Sequence, residues 1–145
     1  MKKLFRTFCA VALIGAIATT SSCTKTCDAG YEGTKCDTKI RTKFLGQWQG
    51  NETCTTGSDN YVITVAESGS DILKVTVSNI YNNGSPILVA TATVDGTTMT
   101  IANQNVGGTV TVQGTGTVNG NTISITYTIS DGTNSNSCTF SGTKL

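Results

Sequence analysis

The sequence predicts an all-β domain from Phe44 to Leu145: about eight antiparallel strands with up-and-down connectivity, closed into a barrel, with a two-sheet sandwich as the alternative arrangement. Three observations carry this expectation. Apolar residues recur with a period of two, Asx-Gly pairs punctuate the runs, and no segment has a convincing helical period. Strict alternation places every second side chain on one face of a pleated strand, so a half-buried sheet is what such a pattern builds.

The runs between turn signals place strands near 44–50, 60–67, 72–80, 87–94, 97–103, 109–118, 121–129 and 136–143. The clearest is Thr122 to Ile129, where Ile123, Ile125, Tyr127 and Ile129 share one face and hydroxyl side chains fill most of the other. Tyr61, Ile63 and Val65 alternate in the same way, as do Leu73, Val75 and Val77, Met99 and Ile101, and Val110 and Val112. Asn83-Gly84, Asp95-Gly96, Asn119-Gly120 and Asp131-Gly132 are read as two-residue hairpins, whose central residues take positive φ. Closure hides the sheet edges and makes the first and last strands neighbours. That would bring Cys54, just after the first strand, beside Cys138 in the last, although 84 positions separate them. Gly114 and Gly116 share the face of Val110 and Val112, where a small barrel needs sharp bends or close packing.

Ahead of this domain stands a leader over residues 1–22. It has a cationic start (Lys2, Lys3, Arg6), an apolar stretch from Phe8 to Ala18, and small residues up to Ser22. The order matches a secretory signal, and the apolar stretch is too short to cross roughly 30 Å of hydrocarbon. Thr20-Ser21-Ser22-Cys23 resembles the lipobox of bacterial lipoproteins, with Thr20 where that family usually has Leu. The resemblance implies acylation of Cys23 and a palmitate-bearing anchor in the outer membrane, on a periplasmic or surface face. Cysteine parity agrees. Of six cysteines, Cys9 leaves with the leader and Cys23 takes the lipid, so Cys27, Cys36, Cys54 and Cys138 remain for two disulfides.

Loss of the leader leaves seven Lys and Arg against nine Asp and Glu, a formal charge of −2. The tether from residue 23 to 43 is mildly basic and the domain beyond it acidic. No dense basic stripe suits a phosphate backbone, so nucleic acid is excluded as a partner. A monomer is expected.

Within the tether, Cys27-Asp28-Ala29-Gly30-Tyr31-Glu32-Gly33-Thr34-Lys35-Cys36 resembles the last disulfide loop of an epidermal growth factor-like module. That resemblance implies a Cys27–Cys36 bridge with Gly30 and Gly33 supplying the tight backbone. The other disulfides of a full module, and a calcium-site consensus, have no counterpart. A stapled spacer is the expected role.

Gly46-Gln47-Trp48 resembles the Gly-x-Trp element that opens the first strand of lipocalins and other calycins. The resemblance implies a Trp48 that plugs the closed end, with Lys144 as the basic side chain over it. The order of leader, growth-factor-like loop and Thr-rich β domain is also similar to a group of Bacteroidota lipoproteins.

Chemistry is sparse. The chain has no histidine, the commonest general base and transition-metal ligand, and the disulfides leave no free thiol. No catalytic residue, metal ligand or cofactor is expected, and the carboxylates are explained by turns and solvation. Binding is the stronger class. A barrel interior could hold a small lipophilic ligand among Trp48, Tyr61, Leu73, Val75, Met99, Ile101, Ile123, Ile125, Tyr127 and Phe140, or those side chains could simply fill it. The other model places a glycan or surface-protein partner on outer Thr-rich strands or on loops around Tyr81 to Ser85. The expected function is a non-enzymatic envelope lipoprotein, structural or binding such a partner, with the lipophilic carrier as the alternative.

Overall fold

The computed structural model describes residues 26–145. The leader and the lipidation expected at Cys23 lie outside the described residues. Two short strands, β1 (Tyr31–Glu32) and β2 (Thr38–Lys39), form a small antiparallel sheet in the tether. The Cys27–Cys36 bridge closes this segment, and Gly30 and Gly33 take φ of +85° and +86°. A Cβ at Gly30 would fall 2.8 Å from Ile72 Cδ1, so the loop packs directly onto the barrel.

The remaining strands are β3 (Gly46–Cys54), β4 (Gly57–Glu67), β5 (Lys74–Ser78), β6 (Val89–Asp95), β7 (Thr98–Gly107), β8 (Val110–Asn119), β9 (Thr122–Ser130) and β10 (Ser135–Lys144). Each pairs antiparallel with its sequence neighbour, and β10 returns to β3, so the sheet is a closed eight-stranded barrel and not a sandwich. The seam pairs Cys138 with Cys54 and Lys144 with Trp48. The Cys54–Cys138 disulfide crosses it with Cα atoms 4.0 Å apart. Closure thus pairs every strand on both sides and leaves no open sheet edge.

Several expected boundaries shift. The first strand begins at Gly46 instead of Phe44 because Ile40–Lys43 forms a 3-10 helix that the period-two reading passes over. Leu73 precedes β5, half-buried near Gly30, and is not an interior strand position. Asp95-Gly96 and Asn119-Gly120 do make two-residue hairpins, but the Asx residue is the last strand position and only the glycine takes positive φ. Asp131-Gly132 opens a four-residue loop, and Asn83-Gly84 lies in the long β5–β6 connection with a cis Ser85–Pro86 bond.

Antiparallel order sorts the connections between two ends. The tether, the 3-10 helix Ile40–Lys43 and the C-terminus gather at the closed end; the β3–β4, β5–β6, β7–β8 and β9–β10 connections surround the mouth. At the closed end Phe44 and Trp48 are fully buried, Trp48 Nε1 donates to Phe44 O at 2.9 Å, and Lys144 Nζ lies 5.2 Å from the Trp48 ring centroid. Buried Arg41 donates to Asp71 O at 2.8 Å and pairs with Glu67 at 2.7 Å. Its Nε is the one buried side-chain nitrogen or oxygen among the described residues without a hydrogen-bond partner.

Candidate ligand cleft at the barrel mouth

Alternation along β3 sends Trp48, Gly50 and Glu52 inward, and the matching residues of the other strands complete the interior. Of the interior positions named from the sequence, Trp48, Tyr61, Val75, Met99, Ile101, Ile123, Ile125, Tyr127 and Phe140 fall in one buried cluster and Leu73 does not. They pack on one another. The Tyr61 and Phe140 ring centroids are 5.3 Å apart, and a Cβ at Gly50 would stand 2.5 Å from Phe140 Cζ. One at Gly142 would meet Phe140 Cε1 at 2.7 Å, and one at Gly116 would meet Met99 Cγ at 2.9 Å. At these points the interior lacks room for a single methyl group. Close packing of this kind is what side chains in a narrow eight-stranded barrel produce.

Glu52 is the polar exception. Only 3% exposed, it stands beside Phe140 in the ladder and two residues below the disulfide. Its Oε1 accepts hydrogen bonds from Tyr61 at 2.7 Å and from Tyr127. Burial pushes both phenols well above their ordinary range, and the Glu52 acceptor pushes them further, because a phenolate beside a carboxylate would lose its bond and gain repulsion. The Cys54 and Cys138 sulfurs lie within 4.8 Å of the Glu52 carboxylate, but both are held in the disulfide, so this cluster offers one free donor and does not make a metal site.

The polar network continues upward from Tyr61. Tyr61 Oη accepts from the Tyr81 N–H at 3.1 Å, and Tyr81 Oη accepts from Asn136 Nδ2 at 3.0 Å. Asn136 also donates to Thr56 Oγ1 at 2.7 Å and accepts from Thr55 Oγ1. Tyr81 has φ +69° and ψ 9°, a left-handed conformation that a bulky L-residue resists. Such strain costs about 1–3 kcal/mol and persists only where surrounding contacts over-determine it. Here Tyr61 holds the Tyr81 backbone N–H and Asn136 holds its hydroxyl.

These residues frame a cleft of about 250 Å³, lined by Thr56, Tyr81, Asn83, Leu88, Val110, Ile129, Ser130, Asp131, Asn134, Ser135 and Asn136. Leu88, Val110 and Ile129 make part of the lining apolar, and the rest is phenol, amide, hydroxyl and carboxylate. The backbone N–H groups of Asn134 and Thr133 hold the Asp131 carboxyl below the usual carboxylate range. The Tyr81 to Ser85 loop named from the sequence therefore meets the β9–β10 connection across one opening. Sequence reasoning did not single out Asn136 or the interior placement of Glu52. Both were open to detection by strand parity, since Glu52 follows Trp48 by four residues and Asn136 precedes Cys138 by two.

No family model, curated protein or solved structure matches the chain.

Proposed function

We propose that this protein is a non-enzymatic cell-envelope lipoprotein whose barrel is a rigid module that engages a glycan or macromolecular partner at its mouth. The observation that carries the reading is the contrast between a filled interior and an open polar cleft: Phe140 and Met99 occupy the space a carried lipophilic molecule would need, whereas Tyr81 and Asp131 line a solvent-facing opening. The absence of histidine and the enclosure of Glu52 between two tyrosines support a binding role over catalysis.

The tether geometry supports the same arrangement. An acyl chain on Cys23 would hold the closed end toward the membrane, because the Cys27–Cys36 loop packs beside Ile72 at that end. The mouth then points away from the lipid. Gly46-Gln47-Trp48 with Lys144 against the Trp48 ring supports a likeness to calycins, and the Gly30 and Gly33 backbone supports a truncated growth-factor-like loop. The likeness to Bacteroidota lipoproteins rests on the order of leader, loop and barrel.

Native mass spectrometry of protein purified from its own host tests this function. We expect the mass of the acylated chain with no further adduct. A reproducible apolar adduct would replace the proposal with the lipocalin-like carrier. In the same host, labelled palmitate should enter the wild type and not Cys23→Ala, and equal labelling of both would remove the anchor.

A further inference from the structure

Building on the mouth-binding function, we propose that the cleft takes one neutral or amine-bearing sugar residue of a glycan and turns away sulfated or carboxylated sugars. The size suits a single ring. At about 250 Å³ the cleft falls below the roughly 300–1,000 Å³ of drug-sized pockets.

The donors and acceptors suit a polyol. Tyr81 Oη accepts from Asn136, which leaves its own proton to donate, and the half-buried ring stands at the cleft wall. Asp131 Oδ1 is taken by the N–H groups of Thr133 and Asn134 at 2.8 and 2.7 Å. Its Oδ2 has only a 3.5 Å contact with Asn134 Nδ2, so it can accept from a sugar hydroxyl or ammonium. Leu88 and Ile129 supply an apolar wall for the C–H face of a ring. Asn136 spends its amide on Thr55, Thr56 and Tyr81, and is a positioning residue.

Charge decides the class. Every described cation (Lys35, Lys39, Arg41, Lys43, Lys74, Lys144) belongs to the tether or the closed end. The mouth half carries Glu52, Asp59 and Asp131 and no cation among the described residues. Even tilted, a nine-residue strand such as β3 separates the two ends by roughly 20 Å, more than twice the ~8 Å Debye length at physiological salt. The closed-end cations therefore cannot attract an anion held at the mouth, and an anionic sugar would meet repulsion from Asp131 with no cation among the described residues to pair it.

The test is calorimetric titration of the intact protein with three tetrasaccharides: a glucosamine oligomer, a glucose oligomer and a sulfated heparin fragment. We expect the first two to bind, the glucosamine oligomer about fivefold more tightly, in keeping with one partly exposed ion pair, and the heparin fragment not to bind. Asp131→Asn should erase the fivefold preference by weakening the glucosamine oligomer more than the glucose oligomer. Tyr81→Ala should weaken both sugars at least roughly tenfold, as loss of an aromatic anchor does, with an unchanged circular dichroism spectrum. Binding of the heparin fragment at equal strength, no sugar binding at all, or sugar binding indifferent to both variants would overturn the assignment. Those outcomes leave mouth binding of a protein partner standing, whereas an apolar adduct in the interior would remove the broader function as well.

Discussion

The two ends of the barrel solve opposite problems with the same β-scaffold. At the closed end Trp48 and Phe44 are fully buried, one indole hydrogen bond is satisfied locally, and Arg41 is anchored by Asp71 and Glu67. At the mouth, Tyr81 is held in a disfavoured conformation, and hydroxyl and amide groups bond to each other around an opening. The closed end converts side-chain volume into stability. The mouth spends some stability to keep polar groups fixed in place before a ligand arrives, the condition under which binding loses least to ordering.

That contrast can be broken most forcefully from below. Trp48→Ala should cost roughly 3–5 kcal/mol in chemical denaturation, since it removes the largest fully buried side chain of the core and the indole donor to the Phe44 carbonyl. A loss under about 1 kcal/mol would mean the closed end is not the stability centre. The seam comes next. Cys54→Ser with Cys138→Ser should cost about 2–4 kcal/mol, because the bridge closes a loop of 84 positions in the unfolded chain. Cys27→Ser with Cys36→Ser, which opens a span of only 9, should cost less by the same measure.

A smaller and pH-selective effect belongs to the buried tyrosines between the ends. Tyr61 and Tyr127 are raised above the ordinary 10.0, so the folded state keeps both protons where the unfolded chain gives them up. Their contribution is complete below pH 10 and falls as pH rises above it, by about 1.4 kcal/mol per pH unit for each phenol. Denaturation curves from pH 9 to 11 should show this slope setting in as pH passes 10, and Tyr127→Phe should halve it. The smallest effect is at the mouth. Tyr81→Gly relieves the positive φ while losing the Asn136 hydrogen bond, so the two terms offset and stability should change by less than about 1 kcal/mol. A loss comparable to Trp48→Ala would mean the mouth is part of the core.

Legibility in the sequence follows the range of the interactions. The alternation in β9, from Ile123 to Ile129, reports its own burial because each residue needs only its immediate neighbours to choose a face. The 3-10 helix Ile40–Lys43 leaves no such trace. Four residues carry too few turns for a period, and the helix is set by Ile40 and Arg41 packing under a barrel that lies later in the chain. Tyr81 is hidden for a related reason: its conformation depends on Tyr61, 20 residues before it, and Asn136, 55 residues after it.

By itself the sequence determined the all-β class, the order of the eight strands, and the pairing of Cys54 with Cys138 once closure is assumed. Those follow from a period of two, turn residues and parity, all local or countable. Only the tertiary structure decided that the ring closes, that Phe140 and Met99 leave no room beside Gly50, Gly142 and Gly116, and that Glu52 sits between two phenols. Those depend on side-chain volumes meeting across strands far apart in the chain, and a pattern read along one strand does not record what faces it.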